Sequence, residues 1–227
     1  MIYVIGGVLR TFVFTLGFHE DHVIRRLHIH NALREDHIVV FTVRPVATAV
    51  KRAFDGLKGF TSRAGLRDPE LIELPLNTPD AIYTIINTLR DRPRPFIVDL
   101  SGGMRVLAVY VMTALLLMKE DADIYLQPET GTITETVIPK ELFEFMRSPL
   151  TPTEIEVLKE ISNNPGITIS ELAKATSKSE KTIRNMLARL RKLLVVQKGR
   201  RAGLYPTKWV KTLTPIKPKE EEESSLH

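Results

Sequence analysis

The 227-residue chain contains no cysteine. That absence excludes a disulfide framework, a thiolate zinc site and a cysteine nucleophile, and it suits the reducing cytoplasm in which we expect the protein to work. No apolar run is long enough to cross a bilayer, since the longest, Val106 to Met118, falls well short of about 18 residues. The N-terminus, MIYVIGGVLRTFVF, has neither a basic segment ahead of its apolar run nor a small-residue cleavage site, so it does not read as a signal peptide. A GxGxxG fingerprint is missing, and no acidic residue is well placed for a ribose pair, which argues against a nicotinamide-cofactor domain. His19, His22, His28 and His30 crowd one region, but no carboxylate completes a zinc site with them. Neither a metal nor a cofactor is expected.

What is present is positive charge, unevenly placed. The net charge is +5, yet residues 1–149 carry 17 Lys and Arg against 18 Asp and Glu, whereas residues 150–214 carry 13 against 5. The excess sits in one short segment, as expected where a polyanion binds.

Ahead of that segment, runs rich in β-branched and aromatic residues alternate with helical ones. Thr11 to Leu16, His37 to Val43, Glu70 to Leu76, Phe96 to Leu100 and Asp123 to Gln127 read as strands. The alternation predicts βαβ units and an α/β, Rossmann-like, mostly parallel sheet. If the order follows the common pattern, the first and fourth strands are neighbours and ligands bind in the crevice outside their carboxyl ends. Two loops would line it. The first is Gly17-Phe18-His19-Glu20, leading into a helix over Val23 to Leu33. The second is Ser101-Gly102-Gly103-Met104-Arg105, opening a very apolar helix that ends near Lys119. Paired glycines permit close backbone approach, a helix start offers free N–H donors to an anion, and Arg105 adds a forked cation. The bland alternatives are a simple tight turn at the glycines, Phe18 as a core plug, Arg105 paired with Asp99, and Met104 in core or dimer packing.

The last third reads as a winged helix-turn-helix. Capping boxes are expected at Thr151–Glu154, Thr168–Glu171 and Ser177–Glu180, the first with Pro152 at N1. In the third helix, helical spacing puts Ile183, Leu187, Leu190 and Leu194 on one side. Lys178, Thr182, Asn185 and Arg189 fall on the other, free for a major groove. A basic hairpin follows, Val195 to Lys198, a turn through Arg200 and Arg201, then Leu204 to Pro206. Lys178, Arg184, Lys198, Arg200 and Arg201 would supply phosphate contacts, while Thr182 and Asn185 would read base edges. The expected divisions are residues 1–138 for the sensor, 139–150 for a connector helix carrying Leu142, Phe143 and Phe145, 151–213 for the winged helix, and 214–227 for a disordered charged tail.

With these motifs in place, the chain resembles the Csa3-type CRISPR-associated transcriptional regulators of archaea, which join a CARF domain to a winged helix. Gly17 to Glu20 resembles the first CARF motif and Asp99 to Arg105 the second. Lys178-Ser179-Glu180-Lys181-Thr182 is similar to the start of the recognition helix, which adds Ser179 and Lys181 to the DNA contacts. The resemblance covers residues 11 to 213. It implies a homodimer whose paired CARF domains bind a cyclic oligoadenylate, cyclic tetra-adenylate in the first instance, across the two-fold axis. Phe18 or His19 would meet an adenine, Glu20 would accept from a base amine or ribose hydroxyl, and Ser101 to Arg105 would hold phosphates. The partners are then double-stranded DNA and the cyclic nucleotide, and the role is regulatory. The competing enzymatic reading is a ring nuclease cleaving that nucleotide with help from Ser101 and Arg105, for which the sequence offers no general base.

Overall fold

The computed structural model describes residues 8–127, 135–198 and 203–214. The chain forms two compact units, one ending at Phe143 and the other beginning at Glu144. The first unit runs β1 (Thr11–Thr15), α1 (Asp21–Ile29), β2 (His37–Val43), α2 (Thr48–Arg63), β3 (Glu70–Leu74), α3 (Thr78–Leu89), β4 (Phe96–Asp99), α4 (Arg105–Met118), β5 (Asp123–Leu126) and β6 (Thr136–Ile138). Among the described residues these strands make a six-stranded sheet in the order β3-β2-β1-β4-β5-β6. The first five are parallel, and β6 pairs antiparallel with β5.

The five expected strands are present, each within two residues of its expected end. The edge strand β6 is an addition to the sequence reading. Its three residues are largely exposed and too few to show alternation. Helix α1 is shorter than expected, because Asn31 takes the left-handed conformation with φ 47° and turns the chain.

The strands of a sheet covered on both faces must be apolar on both. In β1, Phe12 and Phe14 pack with Leu27, Phe54 and Leu57 on the α1–α2 side. The alternate residue Val13 packs with Ile85, Leu107 and Val111 on the α3–α4 side. The β1–β4 register pairs Phe14 with Asp99, so both strands end at the same level and their following loops emerge side by side.

The second unit contains α6 (Pro152–Asn163), α7 (Ile169–Ala175), α8 (Glu180–Leu190), the hairpin β7 (Val195–Lys198) and β8 (Gly203–Pro206), and α9 (Val210–Leu213). A further helix, α5 (Lys140–Arg147), spans the expected connector, and the division into units falls inside it. The first two capping boxes are formed, with Thr151 and Thr168 as N-caps and Glu154 and Glu171 closing back on them. The third is corrected. Ser177 is left-handed, φ 52°, and lies in the turn, so α8 starts later. Its N-cap is Ser179, whose hydroxyl accepts from the Thr182 N–H at 3.1 Å. The hairpin is tied to the α6–α7 loop: Gly166 N–H donates to the Leu204 carbonyl at 2.7 Å, and Leu204 N–H donates to that of Ile167 at 2.9 Å.

Candidate functional site

Where β1 and β4 end together, the first unit opens a cleft of about 530 Å³. Gly17, Phe18 and His19 form one wall; Ser101, Gly102, Gly103 and Met104 form another. The two loops touch through backbone. A Cβ on Gly17 would lie 2.8 Å from the Gly103 nitrogen, and one on Gly102 would lie 2.4 Å from the His22 ring and 2.7 Å from the Thr15 carbonyl oxygen. Gly103 is left-handed, φ 78°, the region that glycine enters without a Cβ penalty. The glycine pair therefore makes a tight turn and a close approach together.

That turn delivers the start of α4 into the cleft without a side-chain cap. Met104 stands at the N-cap, makes no capping hydrogen bond and is 50% exposed. The first-turn amides and the positive end of a 14-residue helix dipole face an open site. Arg105 is exposed, lies outside the cleft lining and, among the described residues, has no partner. Asp99 does not bind it. Asp99 is held instead by Arg26, whose Nε donates at 3.0 Å.

Phe18 is no core plug, for it is 65% exposed at the cleft rim. His19 is also exposed there. Glu20 lies apart from the lining: its carboxylate rests against Gly56 of α2, where an added Cβ would meet Oε1 at 2.4 Å. Ser101 lines the cleft with a hydroxyl already engaged, donating to Asp99 Oδ1 at 2.5 Å and accepting the Gln127 N–H at 2.9 Å.

Two contributions were not read from the sequence as parts of the site. His22 lines the cleft, with Nε2 3.1 Å from the Thr15 carbonyl oxygen. A carbonyl only accepts, so Nε2 carries a proton in this contact. The sequence marks His22 only as one of four histidines crowded in one region; its spacing from Gly17 is the available signal. The third wall, from Thr42, Val43, Pro45, Ala47 and Val50, carries neither charge nor glycine and gave no signal. Behind the cleft, the His30 imidazole is pushed below its ordinary value by burial first and by Arg26 and Arg10 next. Among the described residues, no group of three or more His, Asp or Glu is placed to hold a metal ion.

The second unit presents a different surface. Ile183, Leu187, Leu190 and Leu194 are buried, while Lys181, Thr182, Arg184 and Asn185 are exposed on the outer side of α8. Lys181 and Asn185 have no partner among the described residues. Arg184 pairs with Glu180 at 2.9 Å, an exposed i,i+4 pair that a phosphate can replace at little cost. Lys178 is bound to Glu156 at 2.8 Å and to the Thr176 carbonyl, and Ser179 is taken up as the N-cap. Lys198 reaches over the Tyr205 ring at 5.6 Å, near the hairpin end. Arg200 and Arg201 lie outside the described residues, as does the charged tail from residue 215.

Arg189 requires a correction. Helical spacing placed it on the DNA side, but its guanidinium turns inward. Nη1 donates to both Glu154 oxygens, at 2.9 and 3.0 Å, Nη2 donates to the Ser148 carbonyl, and the group stacks 4.7 Å from the Phe145 ring centroid. It holds the start of α6 in place and is not free for a phosphate.

A family model described as the Csa3 CRISPR-associated Rossmann-like domain matches residues 10–139, and a winged helix-turn-helix DNA-binding model matches residues 150–193. The CRISPR locus-related protein Csa3 of Saccharolobus solfataricus is 26% identical over 194 residues, covering 85% of this chain and 82% of that one. Among solved structures, the multiple antibiotic-resistance repressor MarR of Listeria monocytogenes aligns with 29% of this chain and 48% of its own, at 23% identity and TM-score 0.27. Can2 of Sulfobacillus thermosulfidooxidans, solved with cyclic tetra-adenylate, aligns with 90% of this chain and 61% of its own, at 11% identity and TM-score 0.41. The chain thus spans about half to three fifths of those two structures.

Proposed function

The chain belongs to the Csa3 CRISPR-associated family, in which a Rossmann-like CARF domain is joined to a DNA-binding winged helix, and from that premise we propose that it is a ligand-gated regulator of CRISPR genes. The ligand is a cyclic oligoadenylate, with cyclic tetra-adenylate first among the ring sizes. The observation that carries this reading is the bare start of α4, presented to an open cleft by Gly102 and Gly103, with Arg105 following in the chain outside the cleft lining. Phosphodiesters are acceptors, and a helix start supplies backbone donors in the arrangement that anions favour. Phe18 offers an aromatic face to a base. His22 adds a second ring to the cleft wall.

A cyclic nucleotide of even ring size has a two-fold axis, and two copies of this chain would give each half the same cradle. The exposed apolar residues of α4, Val109 and Leu117, support such a homodimer. Regulation, rather than ring cleavage, is favoured by the winged helix-turn-helix match and by Ser101, whose hydroxyl is tied between the Asp99 carboxylate and the Gln127 N–H. DNA binding rests on Lys181, Thr182, Arg184 and Asn185, with the hairpin alongside.

The test is to titrate cyclic tetra-adenylate, cyclic hexa-adenylate and NAD into the full chain while measuring affinity for promoter DNA. We expect the cyclic tetra-adenylate to saturate and to change DNA affinity. Saturation with unchanged affinity rejects the switch, and binding of NAD alone rejects the ligand class.

A further inference from the structure

Arg26 is the bulkiest side chain fully buried among the described residues, only 1% exposed. Removing a guanidinium from water is tolerated only where its charge and donors are met. Here they are met on two sides. Nε donates to Asp99 Oδ2 at 3.0 Å; the two terminal nitrogens reach Glu135, one at 3.4 Å and the other in close contact. The Tyr125 ring stacks against the guanidinium at 3.7 Å. Asp99 is itself 1% exposed, so Arg26 fixes a carboxylate that has no water to hold it.

The other Asp99 oxygen does separate work. Oδ1 accepts the Ser101 N–H at 3.0 Å and the Ser101 hydroxyl at 2.5 Å, and that hydroxyl accepts the Gln127 N–H. Ser101 is the residue on which Gly102 and Gly103 hang, and glycines have no side chains with which to hold themselves. A chain of hydrogen bonds therefore runs from a buried cation to the loop at the start of α4, with no member exposed to a ligand until its last link. Buried ion pairs are poor sources of net stability and good sources of fixed geometry.

We propose that Arg26 is a positioning residue for the anion loop: by holding Asp99 it holds Ser101, keeps the Gly102–Gly103 turn in its binding shape, and sets ligand affinity without touching the ligand. This rests on the reading of the cleft as an anion site, so its test includes a measurement that needs no ligand. In the full chain, Arg26→Lys keeps the charge but cannot fork between Asp99 and Glu135, and Arg26→Gln keeps a donor to Asp99 without the charge. Amide hydrogen exchange is followed in the ligand-free proteins at Ser101 and Gln127, whose N–H groups the Asp99 carboxylate and the Ser101 hydroxyl hold, with α3 as internal reference, and binding of cyclic tetra-adenylate is measured by calorimetry.

The expected result is exchange about tenfold faster at Ser101 and Gln127 with α3 unchanged, and affinity lower by about tenfold or more. Arg26→Lys tests the point even if Arg26→Gln fails to fold. Unchanged loop exchange overturns the proposal, as does faster exchange throughout the unit, which marks a general stabilising role. Faster loop exchange with wild-type affinity also overturns it, while leaving the ligand reading intact. If the wild-type chain binds no cyclic oligoadenylate, it is the ligand reading that falls, and the exchange data alone decide whether Arg26 holds the loop.

Discussion

At the scale of single residues, Arg105 and Arg26 show how differently one residue type behaves in this fold. Arg105 stands exposed at the first position of α4 with nothing to pair with, so removing it leaves no buried group unsatisfied. Arg105→Ala should leave stability within about 0.5 kcal/mol of wild type, as for most exposed sites. It should weaken cyclic tetra-adenylate by the value of a charge-assisted hydrogen bond, about 1.5–3 kcal/mol. Calorimetric titration beside thermal unfolding checks both, and an unchanged affinity would place the phosphates elsewhere. The position of Arg105 at the start of α4 was legible in the sequence because it closely follows a glycine pair at a strand-to-helix turn. Arg26 was not, since nothing in residues 21–30 announces that this face of α1 meets Asp99 from 73 positions away. Glu20 fails in the opposite sense: it sits beside the right residues in the chain, yet its side chain turns back onto Gly56. Sequence proximity gave the loop but not the direction of each side chain.

At the scale of elements, agreement is close wherever the signal was periodic. The first five strands are runs of β-branched and aromatic residues, and the apolar face of α8 is the one that helical spacing gives. The misses are end effects. A serine two residues nearer the helix displaced the third expected cap, and a three-residue edge strand was too short to see. Arg189 is a miss of another kind, because a partly buried Glu154 on α6 captured a cation that spacing alone put outside. That exchange yields a contrast between variants. Lys181→Ala should lower the slope of DNA affinity against salt by about one while sparing stability, as for a phosphate contact. Arg189→Ala should cost about 1–3 kcal/mol of stability through loss of charged hydrogen bonds. Unfolding of the second unit is followed by its fluorescence, since the chain has one tryptophan, Trp209. The same probe tests Glu154. Burial alone would raise its carboxyl, but the Thr151 amide and hydroxyl and then Arg189 outweigh burial and hold it below its ordinary 4.5. The unfolded chain thus takes up the proton more readily, so the stabilisation is complete above that ordinary value and disappears as pH falls through the lowered folded one. Glu154→Gln should flatten this acid loss of stability; an equally steep decline in the variant would assign it to other carboxylates.

At the scale of the whole molecule, charge is partitioned as sharply as structure. The first 149 residues are close to neutral and the segment that matches a DNA-binding winged helix is strongly basic, so a polyanion would be drawn to one unit while the proposed small anion would take its cleft in the other. Two sites in two units become a regulator only if binding at one changes the free energy of binding at the other, and that coupling is reciprocal by thermodynamic necessity. If saturating cyclic tetra-adenylate alters affinity for promoter DNA by some factor, saturating DNA must alter affinity for the cyclic nucleotide by the same factor. Coupling of this kind is commonly about 5- to 150-fold, well within reach of paired titrations. The two factors should agree, and both should fall toward one in Arg26→Lys if the loop's shape carries the coupling as well as the affinity. A DNA effect that persists in a chain unable to hold the nucleotide would mean that the nucleotide acts on the DNA assay by a route other than this cleft.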